Sequence, residues 1–174
     1  MNLRTWENQR GRVSTASGDV SYTDIGEGPV ALFVHGVGTN NLLWRKVMAE
    51  LAGERRCVAP DLPGHGASPV SPEQDLSLNG LARLLEDFCE SLELGDVDLV
   101  ANDTGGAVAQ VFAVRHPGRL RTLTLTNCDT QGNLPPEFEF STGWAHYPSE
   151  ALEADGLFRL ADARQYQSKR GKQP

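Results

Sequence analysis

The residue in this sequence best placed to do chemistry is Asp103. It lies in "VDLVANDTGGAVAQ", residues 97–110, where an apolar run ends in a tight Asn-Asp-Thr-Gly-Gly turn and an Ala/Val-rich helical pattern begins. Strand, sharp turn and helix together make a nucleophile elbow. The turn lifts one side chain above the sheet, and small neighbours let strand and helix close up. The usual register is G-x-S-x-G. Here it reads Ala101-Asn102-Asp103-Thr104-Gly105, with Asp103 in the nucleophile's place. A carboxylate is ionised at neutral pH and needs no base before it attacks. It can displace a leaving group from carbon and form an alkyl ester on the chain. Water activated by a histidine would then hydrolyse that ester. The positive N-terminal end of the following helix lies under an anion at this position. The plainer reading of Asp103 is a helix N-cap, a role Asp fills well.

Two further loops carry candidate partners. In "HGVGTNNLLW", His35-Gly36 follows an apolar strand. The backbone N–H of Val37, paired with that of Thr104, would hold a developing negative charge. His35 reads as a structural histidine bonded to nearby backbone, and Asn40 or Asn41 as the cap of the next helix. In "DLPGHGAS", Gly64 and Gly66 turn the chain sharply, and Asp61, His65 and Ser68 read as loop-stabilising residues. His65 is set below that reading as a catalytic base. Gly36, Asn102 and Gly105 support the loops around Asp103.

The elements that must position these residues follow from periodicity and turn signals. "RVSTASGDVSYTDIG" reads as a hairpin turning at Ser17-Gly18. "VALFVH" and "RCVAP" are short apolar strands, "VDLVA" is the elbow strand, and "LRTLTLTN" is a fourth. Helical spacing covers 41–51, 77–92 and 105–116. The second of these carries Leu78, Leu81, Leu84, Leu85, Phe88 and Leu92 on one side. A hairpin followed by repeating strand–helix units predicts an α/β fold, a mostly parallel sheet with helices on both faces. The ligand site belongs beyond the carboxyl ends of the parallel strands. The loops at 35–40, 60–68 and 102–106 all fall at that edge.

The 174 residues suffice for one domain. A net charge of -7 without a long basic run argues against nucleic acid or an anionic membrane as the main partner. The N-terminus lacks an apolar signal region, and no run approaches the roughly 20 residues of a membrane span. Cys57, Cys89 and Cys128 lack CxxC partners and read as reduced thiols of a cytoplasmic protein. The four histidines lack metal-ligand spacing. Neither a metal nor an organic cofactor is implied.

Together, "FVHGVGTNNLLWR", "DLPGHGAS", "LVANDTGGAVAQ" and "RHPGRLRTLTLTN" resemble the α/β-hydrolase superfamily in order and spacing over residues 12–130. With Asp at the elbow, the chain looks most like the branch of haloalkane dehalogenases and epoxide hydrolases. The resemblance implies Asp103 as nucleophile, oxyanion donors at Val37 and Thr104, and a helical cap inserted after the strand at 120–127. Thr104 stands where both enzyme types usually carry Trp. Val37 stands where dehalogenases often carry Asn, and Gly38 where epoxide hydrolases carry Pro. No subtype is singled out.

In that family two more core strands follow the cap, bearing an acid and then the catalytic His. His146, in "TGWAHYPSE", does not follow a strand. The expectation is therefore the N-terminal portion of the fold, with the final core strands missing. Residues 1–128 form the core, and 129–174 begin a cap or form an irregular tail. The expected function is hydrolysis of a small electrophilic substrate (halide, epoxide or ester) through a covalent Asp103 ester, impaired by the missing partners. The alternative is an inactive hydrolase-fold protein that binds a ligand or partner. The strand at 120–127 would be an exposed edge, inviting self-association.

Overall fold

The structure, a computed structural model, describes residues 6–128. The readings placed on 129–174, including the cap or tail and His146, lie outside the described residues.

Strands β1 (Arg10–Thr15) and β2 (Gly18–Ile25) form the antiparallel hairpin. Its connection is Ala16–Ser17, one residue earlier than the turn signal suggests. Gly18, at φ 131°, pairs with Thr15 and opens β2. Thr15 Oγ1 holds the turn, accepting from Ser17 N at 3.2 Å and donating to Gly18 O at 2.7 Å. Strands β3 (Val30–Val34), β4 (Arg56–Pro60), β5 (Val97–Asn102) and β6 (Leu120–Thr126) complete a six-stranded sheet of order β1-β2-β4-β3-β5-β6. β2 meets β4 antiparallel, whereas the β4–β3, β3–β5 and β5–β6 pairs are parallel.

Alternation along the strands sorts the apolar residues onto two faces. Leu32, Val34, Val58, Val97, Leu99 and Ala101 point to one face, where helices α2 (Leu78–Ser91) and α3 (Thr104–Arg115) cover them. Ala31, Phe33, Cys57, Ala59 and Val100 point to the other, packing with Trp6, Trp44 and Met48. Helices on both faces are therefore what the strand–helix alternation implied. Ser77 caps α2 by accepting from Gly80 N at 3.1 Å.

The stretch expected to be one helix over 41–51 is two elements. A 3-10 turn, Asn41–Trp44, leads into α1 (Arg45–Leu51). Asn41 explains the tightening. Its side chain is buried, donates to Ala59 O at 3.3 Å and accepts from Trp6 Nε1 at 3.2 Å. These tertiary bonds fix the first turn closer to the sheet than a continuous α-helix would hold it. Asn40, not Asn41, is the cap, with Oδ1 accepting from Leu42 N at 3.0 Å.

β6 pairs only with β5 among the described residues, so it forms one edge of the sheet. Leu123 and Leu125 pack against the first core. Thr122 and Arg121 join Asp98 on β5 through bonds of 2.9 and 3.0 Å. Among the described residues no helix is long and apolar enough to cross a membrane.

Candidate active site

Strands β3, β4 and β5 run parallel, so the loops after Val34, Pro60 and Asn102 emerge at the same sheet edge. Asp103 stands at the tip of the last of them. Its backbone has φ 53° and ψ -130°, close to the mirror image of polyproline II and costly for an L-residue. A residue held in this region needs its surroundings to fix it. Asn102 Nδ2 donates to Thr126 O at 2.9 Å and Thr126 Oγ1 at 3.2 Å, tying the ends of β5 and β6 together. Gly105 is packed so closely that a methyl group there would strike the carbonyls of His35 and Val34. At Gly106 a methyl would strike Cys128. The small residues after Asp103 thus let α3 start directly against β3 and the end of β6.

Asp103 occupies the N-cap position of α3, but its side chain makes no capping hydrogen bond. It is exposed, and its carboxylate lies directly over Gly36, where a methyl group would collide with it. The carboxylate is thus displayed rather than used to satisfy the helix. The N-cap reading of Asp103 holds for its backbone position only.

The loop after β3 supplies the facing wall. Val37 is 64% exposed and sits next to Gly36, under Asp103. Gly38, at φ 74°, turns the chain away. Thr104 is the first residue of α3, so its N–H has no partner within the helix. Among the described residues no acceptor engages the N–H of Val37 or Thr104. Both donors are therefore left without a partner among the described residues, next in sequence to Gly36 and to Asp103.

His35 is buried, and its ring has defined bonds on both sides. Leu62 N donates to Nε2 at 2.9 Å, so Nε2 is unprotonated and Nδ1–H donates to Gly36 O at 2.8 Å. Burial lowers its pKa below 6.5, with Asp61 and the Gly36 carbonyl opposing the shift and the neighbouring His65 adding to it. Both ring nitrogens thus bond to backbone, at Gly36 and Leu62.

Asp61 is fully buried and organises the middle loop. It accepts from Asn41 N at 2.8 Å and Ala67 N at 3.0 Å, and pairs with the Arg10 guanidinium. Ser68 Oγ donates to Asp61 O at 2.7 Å and accepts from Ser21 N at 2.8 Å. His65 Nδ1 lies 3.0 Å from Pro63 O, and its ring centroid is 5.3 Å from that of His35. All three residues stabilise the loop.

Two contributors escaped the sequence reading. Arg10, on the hairpin, supplies the cation for Asp61 across 51 positions of chain, and no local pattern signals that. Cys128 reaches the underside of the elbow, with Sγ 3.2 Å from Thr126 O and 3.6 Å from Ala101 O. Burial, with the Asp103 charge acting in the same direction, pushes its thiol pKa up. Its position just after β6, at the same sheet edge as the elbow, was the available signal.

With this geometry in place, residues 29–161 match the α/β hydrolase fold family. The chain belongs to that family. The match runs beyond the stretch of residues 12–130 that carries the motifs. Among curated relatives, a 2-hydroxy-6-oxo-2,4-heptadienoate hydrolase of Pseudomonas putida is 35% identical over 147 residues, covering 80% of this chain and 51% of the relative. A haloalkane dehalogenase of Mesorhizobium japonicum is 37% identical over 116 residues, covering 66% and 37%. The solved structure of a Bacillus megaterium epoxide hydrolase superposes with a TM-score of 0.65 at 25% identity, over 68% of this chain and 42% of that one. The chain spans about half the length, or less, of these hydrolases.

Proposed function

We propose that this hydrolase-fold chain acts through covalent catalysis by Asp103 on a small molecule with an electrophilic carbon, such as a halide, an epoxide or an ester. The carrying observation is the displayed Asp103 carboxylate. It sits on a strained elbow, makes no capping bond and faces Gly36. A carboxylate held in a costly conformation without a structural bond is a feature that function explains and packing does not. One Oδ attacks the carbon as the carbon–halogen or epoxide carbon–oxygen bond breaks, leaving an alkyl ester on Asp103. Hydrolysis of the ester passes through a tetrahedral oxyanion, for which the Val37 and Thr104 N–H groups are the donors. The similarity to dehalogenases and epoxide hydrolases supports this reading.

The three free cysteines suit a reducing, cytoplasmic setting.

The test is incubation of the chain with a small alkyl bromide or a terminal epoxide, followed by intact mass measurement. A single adduct on the wild type and none on Asp103→Asn supports the proposal. Equal labelling of both assigns the nucleophile elsewhere. Reversible binding of the probe, with no adduct and no effect of Asp103→Asn, supports instead a binding protein on the same fold.

A further inference from the structure

Val37 and its neighbours show how the site could be aimed. The peptide between Gly36 and Val37 is a rigid plane in which C=O and N–H point in opposite directions. Whatever fixes the Gly36 carbonyl therefore fixes the direction of the Val37 N–H. The carbonyl accepts from His35 Nδ1–H at 2.8 Å. The ring can donate from Nδ1 only in one neutral tautomer, and Leu62 N–H selects that tautomer by donating to Nε2 at 2.9 Å. Leu62 in turn follows Asp61, which is locked by the N–H groups of Asn41 and Ala67 and by Arg10.

We infer that His35 is a positioning residue: by holding the Gly36 carbonyl it fixes the direction of the Val37 N–H beside the site that the Asp103 carboxylate overlies, and it couples that direction to the Asp61–Ser68 loop. This rests on the proposed role of Asp103 and Val37. Protonation breaks the arrangement. A second proton on Nε2 turns the acceptor of Leu62 N–H into a donor, and two donors then face each other. The groups facing the ring are the Asp61 carboxylate, the His65 ring, the Gly36 carbonyl and the Leu62 N–H, with the Asp103 carboxylate just beyond Gly36. Burial keeps the ring neutral near pH 7, so the donor is aimed there and released in acid.

Two variants of the full chain separate the ring's two bonds. His35→Asn retains an N–H donor near the Nδ1 position, within reach of Gly36 O, but loses the acceptor for Leu62. His35→Gln extends its amide toward Leu62 N and gives up the donor at Nδ1. Amide NMR reads the outcome without requiring chemistry. The Val37 and Leu62 resonances of the wild type should move together through one acid titration shared with the His35 ring. In His35→Asn the Val37 resonance should stay close to the wild type and lose its titration, and in His35→Gln it should be displaced at every pH.

Once the alkyl bromide probe has labelled Asp103, His35→Gln should lower the rate at which the folded chain releases the ester to water or hydroxylamine, on the order of tenfold or more, because release rather than labelling passes through the oxyanion. His35→Asn should restore most of that rate. A folded His35→Gln chain with an unmoved Val37 resonance overturns the inference, as does a Val37 resonance that ignores His35 protonation. If the wild type takes no label while the NMR results hold, the aiming stands and the Asp103 reading fails.

Discussion

Replacing Asp103 with glycine should stabilise the chain while abolishing covalent labelling. The conformation at φ 53° and ψ -130° is costly for an L-residue, by about 1–3 kcal/mol. Glycine adopts this mirror region freely, but loses about 0.5–1 kcal/mol through the greater freedom of its unfolded chain. The Asp103 side chain makes no capping bond whose loss would offset the gain. It does place a negative charge at the start of α3, worth about 0.3–1 kcal/mol. Asp103→Asn controls for that, because it loses the same charge and keeps the strained backbone. Relative to Asp103→Asn, Asp103→Gly should be more stable by about 1 kcal/mol, or about 2–4 °C in Tm for a chain of this size. Urea unfolding followed by circular dichroism, with calorimetry on both variants, measures it. A glycine variant equal to or less stable than the asparagine variant would refute the claim that strain is stored at the elbow.

Three further outcomes follow from the packing. Gly105→Ala drives a methyl group into the backbone carbonyls of His35 and Val34. It should cost about 1–3 kcal/mol in urea unfolding, whereas Gly53→Ala, which meets open space, should cost little. His35 has its folded pKa lowered below 6.5, so the unfolded chain binds more protons in acid. Its contribution is complete above pH 6.5 and shrinks as pH falls from there toward the folded pKa. His35→Asn should flatten that part of the stability profile. The outer side of β6 lacks a partner among the described residues, and we propose that it supports self-association. Sedimentation velocity should show concentration-dependent oligomers that Thr124→Lys reduces, and a concentration-independent monomer would count against the idea.

The strands β3, β4 and β5 were legible as short apolar runs, and the β1–β2 hairpin from its turn signal at Ser17-Gly18. The elbow was legible from Asp103 to Gly106, since only small residues permit that turn. The break in the helix at 41–51 was not. It depends on Asn41 bonding to Ala59 and Trp6, residues remote in sequence. Arg10 was invisible for the same reason: a buried ion pair across the sheet leaves no periodicity. His35 was readable as structural, but its role required knowing that Leu62 N–H fixes the tautomer. Cys128 sits beneath the elbow only because β5 and β6 end level, a matter of register that spacing alone does not show.

The central claim is that the Asp103 carboxylate, rather than its neighbour Cys128, is the group that attacks. The most direct measurement is fragment mass spectrometry of the probe-treated chain, before and after hydroxylamine. Attack by Asp103 leaves an ester, so the adduct should map to residue 103 and be released by hydroxylamine. An adduct that maps to Cys128 and resists hydroxylamine, as a thioether does, would contradict the account.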